Sequence, residues 1–179
     1  MRLEQVEIYE DDQDFAVMRH PGRHNPGSLI PGRTLYALYI AARELMPAVD
    51  GPLAVDFSRK LDALRDDLGE RLFEYEEVLR LTRRQPISIA ETEIYSDATN
   101  AAVMRHPDHA EPGSLLQGDT LSSLYHRTCD IARDLNAGEM EEVRLELEGI
   151  QQAFGVRVRI YLEALAAVGR TVPFPAPDG

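Results

Sequence analysis

Four stretches, Glu7-Ile-Tyr-Glu-Asp11, Ala16-Val-Met-Arg-His-Pro21, Pro26-Gly-Ser-Leu29 and Gly32-Arg-Thr-Leu-Tyr-Ala-Leu-Tyr39, return 86 residues later. They reappear as Glu93-Ile-Tyr-Ser-Asp97, Ala102-Val-Met-Arg-His-Pro107, Pro112-Gly-Ser-Leu115 and Gly118-Asp-Thr-Leu-Ser-Ser-Leu-Tyr125. With Val6–Tyr39 laid on Thr92–Tyr125 without a gap, 19 of 34 positions are identical. Self-similarity at a fixed offset is the mark of a duplicated structural unit. Every element assigned to one copy must therefore suit the other.

Working outward, residues 6–9 and 15–20 are short, rich in β-branched and aromatic side chains, and separated by the polar run 10–14. They predict a β-hairpin. Residues 93–95 and 101–106 predict its repeat. A loop punctuated by Pro and Gly follows, and 27–30 and 113–116 suit a third short strand before a turn at Gly32 or Gly118. Thr34 and Thr120 are placed to cap helices over about 35–46 and 121–136, because a hydroxyl at a helix start accepts from the free N–H groups of the first turn.

The last element is ambiguous in the second copy alone. Val156-Arg-Val-Arg-Ile-Tyr-Leu162 alternates as a strand does. The first copy decides it. Phe57, Leu61, Leu64, Leu68, Leu72, Tyr75 and Leu79 step by four and three, the stripe of an amphipathic helix. At the same offset Val143, Leu147, Ile150, Phe154, Val158, Tyr161 and Leu165 are all apolar. Two long helices, about 56–82 and 139–168, are predicted.

The expected class is α+β: two tandem ββ(β)αα repeats, 1–84 and 85–170, forming a pseudo-two-fold unit with antiparallel hairpins and long amphipathic helices. The stretch 83–90 is too short to be a free tether, so the halves should share a core made by the long helices, with both hairpins in one sheet. Residues 171–179, with prolines at 173, 175 and 177, are expected to be a loosely ordered tail.

The chain carries 31 acidic and 19 basic residues, a net charge of -12 shared by both halves. Such a surface repels phosphate backbones, which argues against nucleic acid and favours a basic protein partner. The competing reading is that acidity serves solubility alone. Cys129 is the single cysteine, so no intrachain disulfide and no thiolate metal cluster arises. The longest apolar run, residues 35–42, is too short to cross a bilayer, and the N-terminus lacks an apolar leader core. A cytoplasmic protein with no membrane partner is expected.

The candidate binding residues are those both copies repeat. Arg19 and His20, and Arg105 and His106, close the second strand of each hairpin. A guanidinium beside an imidazole suits a carboxylate or another anion, with Asp11, Asp97 and Arg33 nearby in the frame. The competing reading pairs each arginine with the hairpin's own acids, Glu7 or Asp11 and Glu93 or Asp97. Gly-x-Thr at the first helix resembles an anion site at a helix N-terminus, which Arg33 favours in the first copy and Asp119 opposes in the second.

His20 with His24, or His106 with His109, has neither a repeated spacing nor a third ligand, so no metal is expected. Ser28 and Ser114 sit in Pro-Gly-Ser-Leu, which is not a nucleophile elbow, and no paired base accompanies them. Neither a cofactor nor catalysis is implied. The most charged features are helix faces, Asp62, Asp66, Asp67, Glu70, Glu74, Glu76 and Glu77 in one copy and Glu139, Glu141, Glu142, Glu146 and Glu148 in the other, which suit a solvated outer face or a docking surface that steers a basic partner.

Glu111-Pro-Gly-Ser-Leu-Leu-Gln-Gly-Asp-Thr-Leu121, following a hairpin and opening a helix, resembles the N-terminal signature of HicB-like antitoxins. The resemblance implies a partial RNase H-like fold and a role in neutralising a small basic RNA-cleaving toxin. The first copy has Arg33 where that pattern has Asp, and a long helix stands where the family has a fourth strand. The whole frame also resembles an uncharacterised bacterial domain family with Pro-Gly and Gln-Gly-Asp-Ser/Thr-Leu motifs, which implies no activity. The expected function is a non-catalytic, acidic protein-binding module, antitoxin- or immunity-like, that masks a basic protein. The alternative is a structural or small-anion-binding domain using the paired Arg-His-Pro sites.

Overall fold

The computed structural model describes residues 1–12, 15–49 and 54–174. Each copy runs strand, strand, strand, helix, helix. The first contributes β1 (Arg2–Asp11), β2 (Ala16–Arg19), β3 (Gly27–Pro31), α1 (Gly32–Val49) and α2 (Ala54–Leu81). The second contributes β4 (Ser88–Ser96), β5 (Val103–Arg105), β6 (Gly113–Gln117), α3 (Gly118–Ala137) and α4 (Met140–Ala166). Residues 156–162 lie inside α4, so the helix expected from the first copy's periodicity forms.

The hairpins do not merely lie side by side in one sheet. All six strands close into an antiparallel barrel in the order β1-β2-β3-β6-β5-β4. Two of its seams, β1–β4 and β3–β6, join one copy to the other. Within them Gln5 lies opposite Glu91 and Leu29 opposite Leu115. Each of these residues faces its own counterpart 86 positions away, so the pseudo-two-fold axis passes through both pairs. The β1–β4 seam also explains why β1 begins at Arg2 rather than Val6. Its residues Arg2 to Ile8 pair with Ile94 to Ser88 of β4, a register that no single copy contains.

Alternation along the strands separates two cores. Val6, Ile8, Met18, Leu29, Ile94, Met104 and Leu115 point into the barrel, with Ala16 and Ala102. Tyr9, Val17, Ile30, Tyr95, Val103 and Leu116 point outward and pack beneath the helices. Strand alternation alone sends consecutive Ile8 and Tyr9 to different cores, and the register then shifts at a bulge between Ile8 and Glu10, repeated between Ile94 and Ser96. The shared core is thus not made by the long helices alone, since the closed barrel adds an interior of its own.

Both helical stripes are buried as their spacing requires, with Leu79 only partly covered. Helix packing crosses the duplication as the strands do: α1 lies along α4 and α2 along α3. The tail differs from expectation. Phe174 is buried, its ring stacked on Tyr36 at 4.4 Å and 4° and lying 5.9 Å from Tyr161. Aromatic stacking therefore fixes 171–174 against α1 and α4, and 175–179 lie outside the described residues.

The turn expected at Gly32 and Gly118 is also replaced. Each glycine is the first helical residue, so Thr34 and Thr120 fall inside the first turn and are not caps. At α3 the cap position is Gln117, with no side-chain cap bond, and the Asp119 carboxylate accepts from the Thr120 N–H. Close packing sets the glycine. A Cβ on Gly32 would collide with the Tyr161 ring, and one on Gly118 with the Tyr75 ring. The same tyrosines donate to carbonyls of their own copies, Tyr161 to Pro112 and Tyr75 to Pro26, both at 3.0 Å. Each ring is pinned to its own Pro-Gly loop and seated on the opposite copy's glycine.

Gly32→Ala should lower unfolding stability by about 1–3 kcal/mol, because a rigid ring held by a hydrogen bond cannot yield cheaply. Combined with Tyr161→Leu, the loss measured by urea denaturation should fall clearly short of the sum of the two single losses.

Candidate binding cleft

The Arg-His-Pro sites come first, since both copies carry them. Arg19 Nε donates to Glu7 at 2.7 Å, a second N–H of the same guanidinium reaches the other carboxylate oxygen, and Tyr9 donates to Glu7 at 2.6 Å. Arg105 Nε donates to Glu93 at 2.8 Å, and the Tyr95 hydroxyl donates to the same carboxylate. The Arg105 side chain holds Glu93 down to about 2, with Tyr95 adding to the effect, and Arg19 lowers Glu7 likewise. Desolvation together with Glu7 pushes Tyr9 up to about 12. Both guanidinium groups are engaged inside their hairpins. The remaining arm of Arg105 donates to the His109 carbonyl at 3.1 Å.

The histidines part company. His20 is buried, its Nδ1 accepts from the Gly22 N–H at 3.1 Å, and its Nε2 lies 2.7 Å from Asp97 of the other copy. An accepting Nδ1 leaves the proton on Nε2, which donates to that carboxylate. The symmetric pair of His106 with Asp11 does not form. His106 is fully buried, its Nδ1 accepts from the Asp108 N–H at 3.2 Å, and its Nε2 meets no partner among the described residues. The His109 ring lies 4.5 Å away, centroid to centroid. Burial and His109 hold His106 below the ordinary imidazole range, against a weaker pull from Asp108 and Asp11.

Arg33 turns from the helix start to Glu111 of the other copy, 3.2 Å away. Of the expected binding residues, Arg19, Arg105 and Arg33 thus enter hairpin or cross-copy ion pairs and His20 a cross-copy hydrogen bond with Asp97, whereas His106 and Asp11 are not brought together. Among the described residues no group of three or more His, Cys, Asp or Glu is placed to hold a metal ion.

The acidic face of α2 takes on a shape the sequence did not reveal in the first copy, between α1, α2 and the β1–β2 end. There a cleft of about 810 Å³ opens. Its apolar base includes Phe15, Leu38 and Val78, which are buried, and Phe73 and Leu81 stand 68% and 65% exposed beside it. Glu10, Asp12, Asp67, Glu70, Glu74 and Glu77 line it, and Arg71 is the one basic residue among the described lining. Burial, then Glu70 and to a lesser degree Asp12, raise Glu74 above the usual carboxylate range, while Arg71 pulls it down. It is the crowding of carboxylates that favours a cation here, since desolvation by itself disfavours charge of either sign.

The signal was present as a second stripe on α2. Residues 67, 70, 71, 74, 77, 78 and 81 recur at helical spacing on a face adjoining the core stripe. From sequence its acids suit either a solvated face or a docking surface for a basic partner, and the exposed apolar residues among them, with the α1 wall opposite, become visible only once the helices are placed.

Two pH responses follow. Glu93→Gln should cost about 2 kcal/mol at pH 7, typical of hydrogen bonds to a charged group. Because the folded value is depressed, that stabilisation is present above the unfolded value of 4.5 and is lost as pH falls toward 2. Urea midpoints of wild type and variant should therefore converge in that window. His106 shifts in the same direction for a different reason: folding favours the charged form of Glu93 but disfavours the charged, protonated form of His106. Wild type should lose stability as pH drops below 6.5, the unfolded value. His106→Asn should flatten that loss, and an unchanged slope would show that the buried ring does not set it.

No curated protein and no solved structure matches the chain. One family model does, twice, over residues 1–85 and 87–174, and it is described as a family of unknown function (DUF6959). The two matched segments are the two copies that interlock in the barrel. The chain belongs to that family, as a tandem pair of its unit.

Proposed function

We propose that the protein is a non-catalytic binding module of the cytoplasm that masks a basic protein partner, in the manner of an antitoxin or immunity protein. The observation that carries this reading is the first-copy cleft, where six carboxylates, of which Glu77 is already held by Arg80, surround an apolar base lined by a single guanidinium. Carboxylates in that number steer a cationic surface toward the site, and apolar area beneath them gives it something to bury. The net charge of -12 adds long-range attraction for a basic protein and repulsion for nucleic acid. The likeness of residues 111–121 to the antitoxin signature points the same way. The anion-binding alternative finds less support, since Arg19 and Arg105 are already paired with Glu7 and Glu93.

The test is capture by the tagged full chain at low salt, with the bound proteins identified and the binding repeated with a purified candidate. A basic protein that binds wild type, weakens at least tenfold with Glu70→Lys/Glu74→Lys, and weakens as salt rises is the expected result. Equal binding by that variant, or purified candidates that fail to bind, would overturn the reading.

A further inference from the structure

We propose that the first-copy cleft is a groove for one amphipathic basic helix, and that the chain carries a single such site despite its duplication. This rests on the basic-partner reading and names the shape and number of what binds.

Length comes first. The α2 lining runs from Asp67 to Leu81, about 21 Å at helical rise. The facing α1 wall, Thr34 to Ala41, spans about 10 Å, so a bound helix would lie between both walls for about two turns and follow α2 for about four. The facing wall on α1 is Thr34, Ala37, Leu38 and Ala41, at i, i+3, i+4 and i+7. Three of these are small, so a third helix can approach α1 closely and lie along it. A helix laid there presents apolar side chains to Phe15, Val78 and the exposed Phe73, while cationic residues at its flanks meet the carboxylates. Charge complementarity selects the basic segment, and the apolar base demands that it be amphipathic.

Number follows from the broken symmetry of the copies. At the offset of 86, Glu10, Asp12, Asp67, Glu70 and Glu74 become Ser96, Ala98, Ala153, Val156 and Ile160. Of the six acids only Glu77 keeps its charge, as Glu163. Phe73 becomes Arg159, and Ala41 becomes Arg127. The Arg127 guanidinium, at the position of Ala41, crosses from α3 to Glu146 on α4 at 2.8 Å and lies against Gly149; the first copy links its own two helices at the matching place through Lys60 and Glu44, 3.1 Å apart. Arg157, the counterpart of Arg71, is buried and donates to the Ala153 carbonyl at 2.8 Å, and burial pulls it down to about 10. Acids serving solubility alone would be expected on both equivalent faces, whereas these are concentrated on one.

The probes for calorimetry on the full chain are three synthetic peptides of equal charge. One is an 18-residue amphipathic sequence with lysines on one face and leucines on the other; the second is its scramble, and the third is oligolysine. The amphipathic peptide should bind with a stoichiometry of one, at least tenfold more tightly than the other two, and gain helical circular dichroism on binding. Phe73→Ser and Glu74→Lys should each weaken it at least tenfold, while Glu163→Lys in the second copy should leave it unchanged. Thermal melts of the variants check that each is folded.

A stoichiometry of two, or equal affinity for all three peptides, overturns the groove and leaves the basic-partner reading standing. Displacement of the peptide by an equal concentration of spermine overturns the helix in favour of a small polycation. If none of the cationic probes binds at low salt, both readings fail.

Discussion

The hydrogen-bonded seams between copies, β1 with β4 and β3 with β6, are what the rest of the molecule depends on. A three-stranded sheet from one copy would have two raw edges and an uncovered inner face. Joined by its counterpart it closes into a barrel, which removes every edge. The helices then inherit their positions, because α1 and α3 issue directly from β3 and β6 with no loop between. Fixing the central seam fixes the spacing of those two helices, and the long helices fill the places left beside them.

The tyrosine seats tie the helical layer to this seam. Tyr75 and Tyr161 each bond to the Pro-Gly loop of their own copy and press on the glycine that begins the other copy's helix. Polar satisfaction and close packing thus meet at one side chain, twice. The arrangement also explains why Gly32 and Gly118 are shared when the residue after them is not. Arg33 and Asp119 point outward and make different bonds, so packing leaves them free to differ.

The element order was readable because each feature was local. Helical spacing in 57–79 decided the ambiguous 156–162, and Pro-Gly punctuation placed the short strands. Closure was not readable, since nothing in a strand's own sequence says which edge it will meet. Thr34 and Thr120 misled for a related reason: a hydroxyl near a helix start is a cap only if the chain turns there, and here a strand runs straight in. Arg19 and Arg105 were found as repeated residues, and their partners Glu7 and Glu93 were among those weighed. The cleft escaped because its walls come from three separated segments, and an acid at helical spacing looks the same from sequence whether its neighbours face water or a trough.

The pseudo-two-fold axis through Gln5 and Glu91 has a consequence for heredity. In an assembly of two identical chains, a residue on the axis always faces itself, and a carboxylate there would oppose another carboxylate. Any substitution, useful or harmful, is also paid out twice. Fusing the units into one polypeptide removes both restrictions. An amide can face an acid at the axis, one trough can fill while the other stays open, and a symmetric architecture becomes able to have a front and a back.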